Sequence, residues 1–230
     1  MEGLLRQIQI RVNDNIYVKD PETSELGKRI IQESIGMIEK LGLEHFTFRK
    51  LAERLGTTES SIYRYFENKH KLLIYLISWY WGWLEYLLVF NTANIDNPEE
   101  QLRKAIMVLT EPKRDDEFFP HINTGKLDNI VISESSKAYL TKEIDQEKKL
   151  GLFTGYDRLC QRMSEIVLRV NPMYKNPHTL ISTIIEGIQR QKYFIDHLPS
   201  LTDILKDGQE LTRFFTRMAL IMTKSNGKNE

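Results

Sequence analysis

The chain has 230 residues, enough for a three-helix domain followed by a second core of about 150 residues. Basic and acidic residues balance at 32 each, so the protein lacks the strongly basic composition that usually marks nucleic-acid binding, and any such function must sit in a local patch. The single cysteine, Cys160, excludes an internal disulfide and suits a reducing compartment.

In chain order, Ile8, Ile10 and Val12 alternate with polar residues, Asn13-Asp14-Asn15 follow, and Ile16 and Val18 resume. Alternation across an Asn/Asp turn predicts a short β-hairpin within an N-terminal extension, residues 1–22. It would serve as a packing flap or, with Arg6, Arg11 and Lys19, as an arm on DNA. A lone hairpin is marginal in water and needs helices to dock on.

From Ser24 to Leu41, Ile30, Ile31, Ile35, Ile38 and Leu41 recur at near-helical spacing and the pattern stops at Gly42. Phe48, Leu51, Ala52 and Leu55 then fall at i, i+3, i+4 and i+7, with Arg49, Lys50, Glu53 and Arg54 on the opposite side. Thr47 stands at the N-cap of this short helix. Gly56 stands where a left-handed residue is needed to end it, and Thr58 can cap the next helix. In that second helix Ile62 and Phe66 share one face; Ser60, Ser61 and Arg64 lie roughly opposite, flanked by Tyr63 and Tyr65. Small hydroxyls and planar donors on an outward face can approach base edges and phosphates.

Residues 25 to 72 resemble the N-terminal DNA-binding domain of TetR/AcrR-type transcriptional regulators. The matching positions are Gly42, Phe46, Thr47, Leu51, Ala52, Gly56, Thr58, Ile62, Tyr63, Tyr65, Phe66, Lys69 and Leu72, with Ser-Ile-Tyr-Arg-Tyr-Phe-Glu-Asn-Lys at 61–69 close to the family signature. The resemblance implies an all-α protein: a three-helix helix-turn-helix domain at 23–72 and a larger helical effector-binding and dimerisation domain at 73–230. It also implies that Thr47 bonds a phosphate, that Ser60, Ser61, Tyr63 and Tyr65 meet bases and phosphates, and that Lys69 pairs with a phosphate. Thr58 joins this DNA-binding set, and Arg49 and Arg64 are added from their outward placement and charge. Glu59 departs from the pattern, since a carboxylate facing DNA repels phosphate unless it accepts a hydrogen bond from a cytosine amino group. From His45 to Lys71 six cations face three anions, a small positive patch that predicts a moderate salt dependence.

Residues 69 to 90 are apolar on almost every side, which predicts a helix buried nearly all round. A membrane span is disfavoured by Glu85 in its interior and by Trp and Tyr spread throughout instead of gathered at two interfaces. With no signal peptide, the chain reads as soluble and cytoplasmic. Helical patterns follow at about 98–111, 126–142, 143–170, 177–197 and 203–224, punctuated by breaks that include Pro112, Pro120, Gly125, Gly151 and Pro172.

The last two helices carry apolar stripes. The resemblance implies that such a pair meets its two-fold mate in a four-helix bundle, which makes Ile181, Ile184, Ile185, Ile188, Phe214, Phe215 and Met218 the candidate homodimer interface; the alternative is that part of both stripes is intramolecular core. It further implies an effector pocket, with Trp79, Trp83, Tyr86, Phe118, Phe119, Phe153, Tyr156 and Tyr193 as candidates. That lining favours an apolar or flat aromatic effector, with Arg158, Glu186 or His178 supplying a polar contact.

The five histidines form no close metal-ligand pair, and no phosphate-binding glycine loop or nucleophile motif occurs. The expectation is a regulator and not an enzyme, without catalytic residues, metal or cofactor. It would be a dimeric repressor on a palindromic operator, released by a small effector. The alternative is an effector-independent or partner-regulated dimeric DNA-binding protein, an activator included.

Overall fold

A computed structural model describes residues 9–204 and 208–225. Among these, the regular structure is helical throughout: α1 Glu25–His45, α2 Phe48–Leu55, α3 Glu59–Tyr63, α4 Lys69–Thr92, α5 Pro98–Thr110, α6 Thr124–Glu134, α7 Ser136–Tyr139, α8 Ile144–Lys149, α9 Thr154–Val170, α10 Pro177–His197 and α11 Gly208–Ser225, with short 3-10 turns at Asp14–Ile16, Pro21–Thr23 and Pro199–Leu201. The residues group into two compact units, one holding the chain up to Gly82 together with Lys113–Gly155, the other Trp83–Pro112 and the chain from Tyr156. This grouping interleaves along the sequence, whereas the sequence reading begins its second domain at residue 73.

The first unit is built on α1. Ser24 caps this helix, accepting from the Gly27 amide, and Ile30, Ile31, Ile35 and Ile38 bury its inner face. Gly42 interrupts it at φ 75°. Along its length α1 packs on α2 and α6. At its start the Pro21 turn comes so close that a Cβ on Gly27 would lie 2.2 Å from the Pro21 carbonyl oxygen. The first part of α4 supplies Leu72, Leu73, Leu76, Trp79 and Trp81, all essentially buried.

The expected N-terminal hairpin is not formed; its first residue, Ile8, lies outside the described residues, and no strand occurs in the rest. Asn13 caps the 3-10 turn, accepting from the Asn15 amide, and its own amide donates to the Leu150 and Gly151 carbonyls at 3.1 and 3.2 Å. Downstream, the Val18 amide donates to the Tyr65 carbonyl at 2.8 Å. The groups a hairpin would pair across its turn are thus used against the helices, and Ile10 and Ile16 are buried. Two other expectations change. Residues 126–142 form α6 and the single-turn α7, and residues 143–170 form α8 and α9, divided around Gly151 at φ 75°.

In the second unit, Asn97 caps α5 by accepting from the Glu99 and Glu100 amides. Helices α10 and α11 pack on each other and both reach α5. Glu85, in the later part of α4, is buried, and its two oxygens accept from the Arg158 and Arg162 Nε groups at 2.7 and 2.6 Å. Although α4 is long and apolar enough to cross a membrane, 83% of its most apolar window is buried inside the protein.

Gly27→Ala is expected to lower stability by about 1–3 kcal/mol, because the added methyl meets backbone that cannot rotate away. Urea denaturation measures this, and a midpoint equal to that of the parent protein would refute the close approach.

Candidate nucleic-acid interface

Helices α2 and α3 are short and fixed by local chemistry. Thr47 accepts from the Lys50 amide at 3.3 Å, which satisfies one of the unpaired amides at the start of α2. Gly56 ends the helix at φ 65° and ψ 37°. Amides of Gly56 and Thr57 then return to Glu53 and Ala52, closing a tight left-handed turn. Phe48, Leu51, Ala52 and Leu55 are buried, with Ile62 and Phe66 completing the core beneath α3.

Above that core, Thr47, Arg49, Thr58, Ser60, Tyr63 and Arg64 are exposed and Ser61 is half-buried. The Tyr63 ring rests edge-on against Phe48 at 5.1 Å, and its hydroxyl donates to Glu59 Oε1 at 3.4 Å. Thr58 occupies the N-cap position of α3 without capping it: its hydroxyl pairs with that of Ser61 at 2.9 Å. Tyr65 departs from its expected outward place. It is 4% exposed, with its hydroxyl 2.8 Å from that of Ser24 and Lys19 over its ring. Because α3 stops at Tyr63, the 100° step that puts residue 65 on the outer face no longer applies there.

Most cations of this segment have an acceptor within the same chain, several of them at the surface. Arg49 pairs with Glu53 at 3.1 Å and Arg54 with Glu33 at 2.7 Å. Lys50 donates to the His45 carbonyl. Lys71 and His70 both meet Glu147, itself buried. Lys69 sits over the end of α1, its ammonium donating to the carbonyls of Leu43, Glu44 and Phe46 at 2.9, 3.2 and 3.4 Å. Among the described residues, Arg64 is the one cation from His45 to Lys71 with neither a carboxylate nor a carbonyl partner. The role of Lys69 as a cap was hidden from sequence reasoning because its acceptors lie 23 to 26 residues away.

The first unit also holds a cleft of about 750 Å³, bounded by Trp79, Phe118 and Phe119 and by Glu22, Lys28, Arg29 and His121. Trp79 and Phe119 stack edge-on at 5.1 Å, while Phe118 is exposed. Glu22 Oε1 accepts from the Tyr75 hydroxyl at 3.3 Å and lies 2.9 Å from His121 Nε2. Burial, reinforced by the charges of Glu22 and Asp20, holds the Tyr75 phenol well above its ordinary range, so it stays a neutral donor. Arg29 donates across to the carbonyl of Leu55, the last residue of α2, at 3.2 Å. Phe153 lies elsewhere, packed on Tyr139.

The remaining pocket candidates belong to the second unit. Trp83 is buried, Tyr86 lies beside Phe90, Tyr156 donates to Glu186 at 3.2 Å, and Tyr193 stacks on His197. Arg158 is held by Glu85 and His178 by Gln161. Of the expected dimer residues, Ile181, Ile184, Ile185, Ile188 and Phe215 are buried within this chain, where the single apolar face of α10 is already covered by α5 and α11. Phe214 is 52% exposed and Met218 half-buried; Ile221 and Met222 continue the accessible apolar surface of α11.

Residues 30–76 match the family described as bacterial regulatory proteins, tetR family. This stretch contains α2, α3 and most of α1, the helices that carry the exposed donors described above. No curated protein matches the chain. Among solved structures, it is similar to the fatty acid degradation regulator FadR from Bacillus halodurans, at 17% identity and a TM-score of 0.60 over 84% of this chain and 93% of that one. It is also similar to AibR in complex with isovaleryl coenzyme A and operator DNA, at 14% identity and a TM-score of 0.58 over 82% of this chain and 95% of that one. A third is the TetR family regulator PfmR from Thermus thermophilus, at 16% identity and a TM-score of 0.54 over 88% and 100%. At such identities these likenesses establish a shared all-helical fold.

Two substitutions separate capping from DNA contact. Lys69→Ala should cost about 1–2 kcal/mol of stability through loss of charge-assisted bonds to helix-end carbonyls. Arg64→Ala should leave stability unchanged, weaken duplex binding and reduce the slope of log K against log salt by about 1. Denaturation and fluorescence anisotropy in a salt series read both; equal destabilisation by the two would contradict this division.

Proposed function

We propose that the chain, whose residues 30–76 are those of a tetR-family domain, is a homodimeric repressor that binds a palindromic operator on double-stranded DNA in the cytoplasm and is released by a small apolar or aromatic effector. The observation that carries this reading is the set of small and planar donors, Thr47, Ser60, Tyr63 and Arg64, left exposed over a filled core. Ser61, half-buried beneath them, and Arg49 at the flank extend it. These are groups that bond phosphates and base edges.

Dimerisation follows from the size of the reader. One five-residue α3 gives little affinity, and two copies about one DNA turn (~34 Å) apart read both half-sites. Phe214, Met218 and Ile221, spaced along one side of α11, supply the accessible apolar surface for that contact.

The cleft beside Trp79 supports an effector-responsive form of the regulator. An aromatic ligand would lie between Trp79 and Phe118, near Arg29 and the Glu22–His121 pair. Because Arg29 also holds the Leu55 carbonyl at the end of α2, a ligand that drew the guanidinium toward itself would favour a different setting of the helix-turn-helix. Such differential affinity for two states is what release requires. That AibR is known with both isovaleryl coenzyme A and operator DNA is in keeping with this.

Selection of bound duplexes from a random pool should enrich a palindrome with half-site centres about one helical turn (~34 Å) apart, held by a dimer. Tyr63→Ala should weaken that complex without changing the melting temperature by more than about 2 °C. Binding that is only salt-labile and indifferent to sequence would overturn the proposal.

A further inference from the structure

In the second unit a groove of about 850 Å³ opens along α5 and α11. Its cationic side is Arg103, Arg213, Arg217 and Lys224. Glu100 neutralises Arg103 and Glu99 neutralises Lys224, at 3.1 and 2.8 Å. Arg213 and Arg217, one turn apart on α11 and exposed, have no carboxylate partner among the described residues.

Beside these guanidiniums lies Thr216, which lines the groove, is 4% exposed, and carries a hydroxyl with no hydrogen-bond partner among the described residues. This is unlike the other buried helical threonines here. Thr92, Thr110 and Thr223 each donate to the carbonyl four residues earlier, at 2.7, 3.0 and 2.7 Å, and Thr124 donates to the Arg114 carbonyl at 2.6 Å. A buried hydroxyl left without a partner is costly and calls for an explanation. The rest of the lining is apolar, Leu220 and the exposed Ile221.

We propose that this groove is a binding site for a small amphipathic anion, a carboxylate or phosphate headgroup on a short apolar tail. The headgroup accepts from the Thr216 hydroxyl and from the two free guanidiniums, whose forked donors suit such oxyanions. The tail lies on Leu220 and Ile221, and the groove volume falls in the range of small-molecule sites. A neutral ligand would leave both arginines uncompensated; a large polyanion would have no use for a buried hydroxyl or for the apolar side chains. Phe214 and Met218 do not line the groove whereas Ile221 does, so the site borders the surface assigned above to dimer contact; it does not rest on the DNA-binding reading.

Calorimetric titration of the full chain with decanoate, decyl phosphate, decanol and inorganic phosphate tests this without DNA. Decanoate or decyl phosphate should bind at least about tenfold more tightly than decanol or inorganic phosphate, the stronger of the two identifying the headgroup. Arg213→Ala with Arg217→Ala should weaken that binding about tenfold or more. Thr216→Val should weaken it about threefold while leaving the melting temperature unchanged or higher, since it removes an unpartnered hydroxyl. Equal binding of decanol, or unchanged affinity in the double variant, would overturn the proposal. So would a change in sedimenting mass in the double variant, which would make the groove a contact between copies of the chain.

Discussion

The end of α1 is closed from two sides by opposite charges. After Gly42 breaks the helix, the carbonyls of Leu43, Glu44 and Phe46 have no helical donors, and the Lys69 ammonium from the start of α4 takes all three. The Leu43 amide, freed by the same break, donates to the Glu134 carboxylate at the end of α6 at 3.3 Å. One irregular turn therefore ties together α1, which supports the helix-turn-helix, α4, which runs on as the most buried helix, and α6. Neither clamp is an ordinary surface ion pair. Each satisfies backbone groups that the end of α1 leaves without helical partners, the Leu43 amide among them buried, so both become fixed points in the first unit.

This arrangement alters the electrostatics expected of a DNA-reading surface. A count of residues gives the segment from His45 to Lys71 a surplus of cations, yet most already have a carboxylate or carbonyl partner in the same chain. What stays outward is a compact group of hydroxyls, one phenol and Arg64, with Arg49, Lys50 and Arg54 exposed but paired. Such a surface gains from close fit and directional hydrogen bonds more than from long-range attraction, in keeping with a neutral protein. Glu59, held near the Tyr63 hydroxyl, is part of the same arrangement: its charge is placed where the phenol can share it.

The parts legible in the sequence are those in which physics is local. Apolar spacing, a threonine cap and a glycine stop specify α2 within eight residues, and the exposed positions of Ser60, Tyr63 and Arg64 follow from the same counting. Counting failed where its premise ended: Tyr65 lies beyond the last turn of α3 and folds inward to Ser24, a partner 41 residues away. The α10 isoleucines were legible as an apolar stripe, but periodicity does not say whether the covering surface comes from the same chain. The N-terminal alternation resembled a hairpin because Asn-Asp turns suit one; the asparagines instead bond carbonyls near Gly151, about 137 residues on. The groove along α5 and α11 had no signature at all, since unpaired arginines and an unpartnered threonine become visible only when the partners they lack can be looked for.

The central claim is that α3 and the turn after it meet the bases with Tyr63 outward and Tyr65 inward. Site-specific photo-crosslinking measures this directly, with a benzophenone amino acid placed singly at positions 63 and 213 of the full chain and a bound duplex labelled at its bases. The account predicts base crosslinks from position 63, none from position 213, and their disappearance when competing unlabelled duplex of the same sequence is added. Crosslinks of equal strength from both positions, or none from position 63 while the duplex is bound, would contradict it.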